Sequence, residues 1–313
     1  MGYARSGTRA WFVSAPFDIP IHFTSGGRRQ KRPQSGDLIN KKYNAMDILT
    51  RNHVQDLGEG TTPLILAHGF GCDQQTWVPL LPYLLPHYRV ILFDYAGCGR
   101  SDISAWEAKH YRTLIGYAQD LLGVCDALNL ENPIILGHSI SGTIAMLASL
   151  QEPGLFRQLI TIGSSACYLN KKGYSGGFSK SEIWGLLQMM DRDYPAWASH
   201  LAPLAMENED RPELTETLRQ CFLAADPRVS RVFAEATLYC DIRSQLPQVS
   251  VPTDLLQSSR DAFVTPEAAQ YLHEHLPDSE IHELDAHGHY PHVSEPAHIA
   301  QFIQQCISTR GLH

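Results

Sequence analysis

The stretch IILGHSISG, residues 134–142, decides how the rest of the chain is interpreted. Its first three residues form a continuous apolar run, which is typical of a strand buried on both faces of a sheet. A helix-compatible segment follows, so Ser139 lies at a strand–turn–helix junction. The stretch nearly matches G-x-S-x-G, the turn that exposes a nucleophilic serine, but Ser141 replaces the second glycine. The alternative is an ordinary strand-to-helix turn that contains a serine.

A nucleophilic serine needs exposure, a base, and hydrogen-bond donors for the oxyanion that develops on the substrate. The strand–turn–helix setting supplies the exposure and directs a helix N-terminus at the site. Because the turn is tight, the residues two before and two after Ser139 must be small, as Gly137 and Ser141 are. On size alone, Ser141→Gly should keep activity, whereas Ser141→Leu should disrupt the turn.

The predicted strand at residues 62–67 ends in the sequence His-Gly-Phe-Gly, residues 68–71. A loop of this type supplies the second oxyanion donor in hydrolases that use such a serine. We therefore assign the two donors to the backbone N–H groups of Phe70 and Ile140. Considered by itself, the loop could also be a plain glycine turn after a strand.

The segments after this serine contain an acid and a histidine in the order Ser, Asp, His that such hydrolases use. Asp261 lies just past the apolar run at residues 255–256, and His289 follows the next predicted strand. We assign His289 as the base and Asp261 as the group that orients its imidazole. Asp254 is a weaker candidate because it lies within its strand, and Asp285 because it lies too close to the histidines.

A rival interpretation makes metal ligands of three neighbouring histidines, His287, His289 and His292. It would need a carboxylate-rich partner loop and would leave the serine turn without a role, so we expect no metal. His68 and His138 are predicted to hydrogen-bond loops around the site. The glycine-rich residues 94–101 lack the G-K-[ST] and dinucleotide patterns, so we predict a structural turn there and no cofactor.

Short apolar runs alternate with helix-like stretches from Asp47 onward, which is typical of an α/β fold with a mostly parallel sheet flanked by helices. Strands are predicted at residues 62–67, 89–93, 134–137, 159–162, 253–257 and 280–284. Helices are predicted at residues 114–128, 139–150, 266–275 and 296–307. Between about residues 169 and 247 only helix-compatible segments occur, near residues 183–190, 197–206, 213–224 and 229–238. We expect this interval to be a helical lid over the ends of the strands.

The composition excludes several functional classes. The chain has 313 residues, of which 43% are hydrophobic and 19% charged, as expected for a soluble globular protein. The net charge of −8 argues against a nucleic-acid partner. No apolar run of about 18 residues is present, so we expect no membrane span. The seven cysteines are scattered without C-x-x-C spacing, which favours reduced thiols in the cytoplasm.

Residues 1–45 differ in charge from the rest of the chain. They contain eight basic and two acidic side chains, a net charge of +6, so the remainder carries −14. We predict a disordered basic extension, with the functional chain beginning at Met46. Alternatives are the myristoylation pattern of residues 1–6 and an Arg-rich transit peptide, whereas prolines interrupt the apolar run that a signal peptide needs.

Together these motifs resemble the α/β-hydrolase superfamily, over residues 46–313. More narrowly, they are similar to RsbQ-like bacterial hydrolases and to the plant karrikin and strigolactone receptors, at residues 68–74, 90–95, 137–139, 176–178 and 288–289. The resemblance implies a Ser–Asp–His triad under a four-helix lid. It also implies a small apolar pocket lined by Phe70, Tyr168, Phe178 and Trp197.

Two functions follow from the resemblance. The first is a serine hydrolase that cleaves a small hydrophobic ester or lactone through an acyl-enzyme. The second is a ligand-sensing protein of a stress response, in which slow hydrolysis gates binding to a regulatory phosphatase. Both functions need the same three residues, so the sequence leaves both open.

Overall fold

The computed structural model describes residues 48–311, and the predictions for residues 1–45 and for a start at Met46 lie outside the described residues. Seven strands form one sheet in the spatial order β1-β3-β2-β4-β5-β6-β7. β1 pairs with β3 antiparallel, and the remaining pairs are parallel. The strands are β1 Gln55–Leu57, β2 Pro63–Ala67, β3 Arg89–Leu92, β4 Ile134–His138, β5 Gln158–Ile162, β6 Thr253–Arg260 and β7 Ser279–His287.

Four of the α-helices in residues 48–311 begin at a residue whose side chain accepts a hydrogen bond from the first turn. The Ser179 side chain accepts from the Glu182 N–H while the Glu182 carboxylate accepts from the Ser179 N–H, and the Thr265 side chain caps a later helix. The α-helices are α1 Leu81–Leu84, α2 Leu114–Ala127, α3 Ile140–Gln151, α4 Lys180–Arg192, α5 Tyr194–Met206, α6 Pro212–Ala224, α7 Pro227–Leu238, α8 Pro266–His275, α9 Pro291–Ser294 and α10 Pro296–Thr309. Short 3₁₀ helices lie at Gln74–Leu80, Ile103–Ala105 and Leu246–Gln248.

The sheet is buried on both faces, because alternate residues of its central strands point to opposite sides. Ile65 and Ile91 belong to a cluster with α2, α3 and α8, whereas Leu64 and Val90 pack with Gln74–Leu80, α1 and α10. Burial of each such side chain contributes about 1.5–3 kcal/mol. The continuous apolar runs of the sequence therefore reflect the two-sided core.

Helices α4–α7, which we call the helical insert, lie between β5 and β6 in the chain. They form a third apolar cluster around Trp197 and Phe222, and Phe70 packs against it. The helical insert thus covers the edge of the sheet at which the carboxyl ends of β2 and β4 lie. No helix among residues 48–311 is long and apolar enough to cross a membrane.

Candidate active site

Ser139 lies between β4 and α3 in a backbone conformation that non-glycine residues rarely adopt. Its φ is 56° and its ψ is −125°, a strain of roughly 1–3 kcal/mol that surrounding contacts must hold. The Ser139 N–H donates to the Ile162 carbonyl at 2.7 Å, and the Ser164 hydroxyl donates to the Ser139 carbonyl at 2.6 Å. The end of β5 therefore holds the serine turn in place.

The serine turn requires a small residue on each side. A Cβ on Gly137 would lie 2.6 Å from the Gly142 nitrogen, so glycine is needed there. Ser141 is fully buried; its hydroxyl donates to the His68 carbonyl and lies 2.8 Å from the Tyr95 hydroxyl, which donates to it. Ser141 therefore also ties the serine turn to the loop that contains Phe70.

The structure brings Ser139, His289 and Asp261 together. The distance from His289 Nε2 to Ser139 Oγ is 2.7 Å, and from His289 Nδ1 to Asp261 Oδ2 it is 2.8 Å. The other Asp261 oxygen accepts the N–H groups of Phe263 at 2.8 Å and Val264 at 3.2 Å. Hydrogen bonds thus fix the carboxylate, which in turn fixes the tautomer and direction of the imidazole.

Asp261 and His289 lie just after β6 and β7, so adjacent parallel strands end side by side at the site. Gly163, at the end of β5, has a φ of +60°, and a Cβ there would lie 3.1 Å from both Asp261 Oδ2 and His289 Cε1. The His289 N–H donates to the Ala205 carbonyl of α5 at 2.8 Å. The position of the imidazole therefore depends on the helical insert as well as on the sheet.

The Phe70 and Ile140 amides are free to bind an anion. Ile140 opens α3, where the first N–H groups have no intrahelical partner. Among the described residues, neither N–H donates to a protein acceptor in a turn, loop or cap. The 68–71 loop lies against the serine turn, since a Cβ on Gly69 would be 3.3 Å from the Ser139 Cβ. Both amides therefore lie in segments that adjoin the Ser139 hydroxyl.

A small cavity of about 50 Å³ adjoins Ser139 and His289. Of the four predicted pocket residues, Phe70, Tyr168 and Trp197 line it. Phe178 stands one layer behind, against Phe263, with ring centroids 6.0 Å apart. The remaining wall comes mostly from the helical insert, and its residues are not among the four individual pocket predictions: Leu186, Met190, Leu201, Ala205, Phe222, Ala234, Thr237, Leu238, Phe263 and Tyr290.

The Tyr168 hydroxyl lies 3.5 Å from Ser139 Oγ. Burial raises the pKa of Tyr168 well above its ordinary value, so the phenol stays protonated. It can therefore donate a hydrogen bond near the serine.

Buried neutral histidines lie beneath the site. His138 Nε2 donates to the His289 carbonyl at 2.7 Å. Burial, reinforced by His292 and His289, lowers the pKa of His138 well below its ordinary value. Burial and the nearby His289 lower the pKa of His292 to about 3. His68 bonds within its own loop, its Nδ1 lying 2.9 Å from the Gly69 carbonyl.

The histidines proposed as metal ligands do not converge. His287 lines a separate surface groove with Glu207, and His292 Nε2 lies 3.1 Å from the Thr76 hydroxyl. Within residues 48–311, the one group of three possible metal ligands lies elsewhere, at Asp254, His282 and Cys306.

The two other carboxylates considered as the acid, Asp254 and Asp285, lie away from His289. Asp254 accepts from Gln158 Nε2 and from Arg310 Nε, each at 2.7 Å, and this ion pair ties β6 to the end of α10. Asp285 is exposed on β7. Neither carboxylate contacts His289, so Asp261 alone of the three candidates does.

A serine, imidazole and carboxylate in line, with two amides beside them, can carry out acyl transfer. The imidazole can take the serine proton as the hydroxyl attacks a carbonyl, and the amides can hold the resulting oxyanion. The cavity wall is mostly apolar, which favours an uncharged acyl group.

Comparison with known proteins gives concordant results. The model of the alpha/beta hydrolase family matches residues 64–301. The chain is 36% identical over 262 residues to strigolactone esterase D14 of Arabidopsis thaliana, covering 83% of this chain and 98% of that protein. It is 34% identical over 253 residues to the Karrikin insensitive 2 receptor CA of Petunia hybrida, covering 80% and 94%.

Solved structures agree with these similarities. A hydrolase from Oleispira antarctica superposes with a TM-score of 0.82 at 37% identity, covering 84% of this chain and 97% of that one. The predicted α/β fold class and the resemblance to the karrikin and strigolactone receptor group are therefore confirmed.

Proposed function

Because the chain belongs to the alpha/beta hydrolase family, we propose that it is a serine hydrolase that cleaves a small hydrophobic ester or lactone. The observation that carries this proposal is the continuous hydrogen-bonded line from Ser139 Oγ through His289 to Asp261. The apolar cavity beside Ser139 supports an uncharged, compact substrate. We assign the activity to residues 46–313 and the lid to residues 169–247.

The proposed reaction uses three side chains and two backbone amides of this chain. Ser139 Oγ attacks the substrate carbonyl while His289 Nε2 accepts its proton, and Asp261 stabilises the imidazolium. The N–H groups of Phe70 and Ile140 hold the oxyanion; loss of one such donor typically lowers the rate about 100- to 1,000-fold. His289 then protonates the leaving alkoxide, and water hydrolyses the acyl-enzyme by the same route. A lactone would remain tethered as its hydroxy acid ester until this second step.

Labelling and hydrolysis test the nucleophile directly. A fluorophosphonate probe should label Ser139, and Ser139→Ala should lose labelling and lower the hydrolysis of p-nitrophenyl acetate by at least about 1,000-fold. Ser199 is a matched control, because it is exposed on α5 and bonds only the Pro195 carbonyl in its own helix. Ser199→Ala should behave as the wild type. Full turnover by Ser139→Ala would refute the assignment.

A second candidate function is ligand sensing, because several relatives are described as receptors, among them the Petunia hybrida protein. In that case hydrolysis is slow, and the protein acts by forming a ligand-dependent complex with a regulatory phosphatase. Turnover near the enzyme median of about 10 s⁻¹, with no phosphatase bound in the presence of substrate, would count against sensing. A slow single turnover that coincides with phosphatase capture would support it.

A cytoplasmic location is also proposed. All seven cysteines lie within residues 48–311 and are free thiols there, which fits a reducing compartment. Cell fractionation tests this, and recovery in a secreted fraction would contradict it.

A further inference from the structure

The wall of the cavity beside Ser139 contains one buried hydroxyl that has no hydrogen-bond partner among residues 48–311. Thr237 lies in the last turn of α7, lines the cavity and is 5% exposed. Its Oγ1 is buried and has no hydrogen-bond partner among the described residues. Threonine within a helix can bond the carbonyl four residues earlier, but this hydroxyl does not.

The other hydroxyls of the cavity wall are engaged. The Tyr168 hydroxyl lies 3.5 Å from Ser139 Oγ, and the Tyr290 hydroxyl accepts from Cys72 Sγ at 3.5 Å. Thr237 therefore stands out among mainly aliphatic and aromatic neighbours. A buried unpaired hydroxyl destabilises a protein, so its presence calls for a partner that arrives from outside.

We propose that Thr237 is a specificity-determining residue that hydrogen-bonds a second oxygen function of the substrate, beyond the ester that Ser139 attacks. This inference rests on the proposed function. The ligand class is a compact ester or lactone that carries an ether, hydroxyl or carbonyl oxygen on an otherwise apolar body. A threonine hydroxyl both donates and accepts, so each of these oxygens can pair with it.

The size of the cavity limits where that oxygen lies. A volume of about 50 Å³ corresponds to a few ordered waters at about 10–15 Å³ each. Only a short chain therefore separates the second oxygen from the scissile carbonyl. A site that pairs a substrate oxygen discriminates against the analogue that lacks it, because the protein hydroxyl is then left unpaired.

Matched esters test this pairing. The probes are p-nitrophenyl methoxyacetate, 3-methoxypropanoate and 4-methoxybutanoate, each compared with the butyrate, pentanoate or hexanoate of the same chain length. The measured quantity is the ratio of kcat/KM for the oxygenated ester to that for its alkyl partner. Comparison of this ratio between variants cancels the intrinsic reactivity of each ester.

We expect Thr237→Val to lower this ratio about tenfold for at least one pair, because valine keeps the shape and removes one hydrogen bond. Thr237→Ser, which keeps the hydroxyl, should retain the ratio. Ratios within twofold of wild type for all three pairs in an active Thr237→Val protein would overturn the inference while leaving the hydrolase proposal intact. Absence of turnover by the wild type would overturn both.

The melting temperature gives a second, ligand-free readout. Removal of an unpaired buried hydroxyl should leave the melting temperature of Thr237→Val equal to or above that of the wild type. A marked decrease, with Thr237→Ser unaffected, would show that the hydroxyl has a protein partner and would overturn the inference. If the Thr237→Val protein fails to fold, the same ratio of kcat/KM values is measured for Thr237→Ala.

Discussion

The Ser141 hydroxyl joins two segments that must keep their relative position in the proposed mechanism. It donates to the His68 carbonyl and receives the Tyr95 hydroxyl at 2.8 Å, so it links the serine turn to the loop that contains Phe70. Size alone predicts that Ser141→Gly keeps full activity. The two hydrogen bonds change that expectation, since the His68 carbonyl and the Tyr95 hydroxyl would lose their buried partner.

Ser141→Ala should therefore lower kcat about three- to tenfold and reduce the free energy of unfolding by about 1–3 kcal/mol. Steady-state kinetics and urea unfolding measure the two effects. Ser149→Ala is a suitable control, because that buried serine bonds only the Met146 carbonyl of its own helix. Unchanged kcat in Ser141→Ala would show that small size is all the position requires.

At the residue scale, the candidate site was largely predictable because its motifs are local. Ser139, Asp261 and His289 each follow a predicted strand, and their order along the chain predicts their roles. The structure places the three in hydrogen-bond contact. Thr237 was not predictable, because an unpaired hydroxyl is a property of packing that no spacing in the sequence records.

At the element scale, the helical insert sets the size of the cavity. Leu201 of α5 is 6% exposed and lines the cavity, whereas Leu204 of the same helix is 45% exposed and points away from it. The wild-type protein should hydrolyse short-chain esters, from acetate up to butyrate, faster than octanoate. A cavity of about 50 Å³ cannot hold a long acyl chain.

Leu201→Ala should raise the ratio of octanoate to butyrate hydrolysis about tenfold or more, at a cost of about 2–5 kcal/mol in stability. The ratio of kcat/KM for the two p-nitrophenyl esters measures this, and Leu204→Ala should leave it unchanged. An equal change of this ratio in both variants would mean that the substitutions act by destabilising α5 rather than by enlarging the cavity.

Most strands and helices were predictable from their apolar periodicity, and the exceptions have physical reasons. Pro266–His275 matches its prediction because Thr265 and a first-turn proline mark its start. β1 was missed because a strand of three residues, none of them buried, is too short to show a hydrophobic pattern. Gln74–Leu80 was missed because Pro79 argues against a helix, and it forms through tertiary burial of Trp77.

At the scale of the whole molecule, two buried histidines link stability to pH. Burial lowers the pKa values of His138 and His292, the latter to about 3. Both are neutral in the folded protein but take up protons on unfolding below about pH 6.5. The stabilisation is thus complete above that pH and is lost as the pH falls, by up to about 1.4 kcal/mol per pH unit for each histidine.

Urea unfolding between pH 7.5 and 5 measures this slope. His292→Gln should reduce the slope by about half, because one of the two proton-linked groups is gone. His87→Gln, a change at an exposed position, should leave it unaltered. A free energy of unfolding that does not change between pH 7.5 and 5, or an equal change of slope in both variants, would contradict the link between these histidines and stability.

The long sequence separation within the site has a consequence for how the chain folds. Ser139 and His289 are 150 positions apart, and the insert and β6 lie between them. Closing so large a loop is entropically costly and makes the contact a late event in folding. A compact intermediate with β2–β5 formed would already expose Ser139, yet it would lack the proposed base and acid, His289 and Asp261. Recovery of hydrolysis after denaturation would therefore follow the docking of β6 and β7, later than the recovery of helical signal.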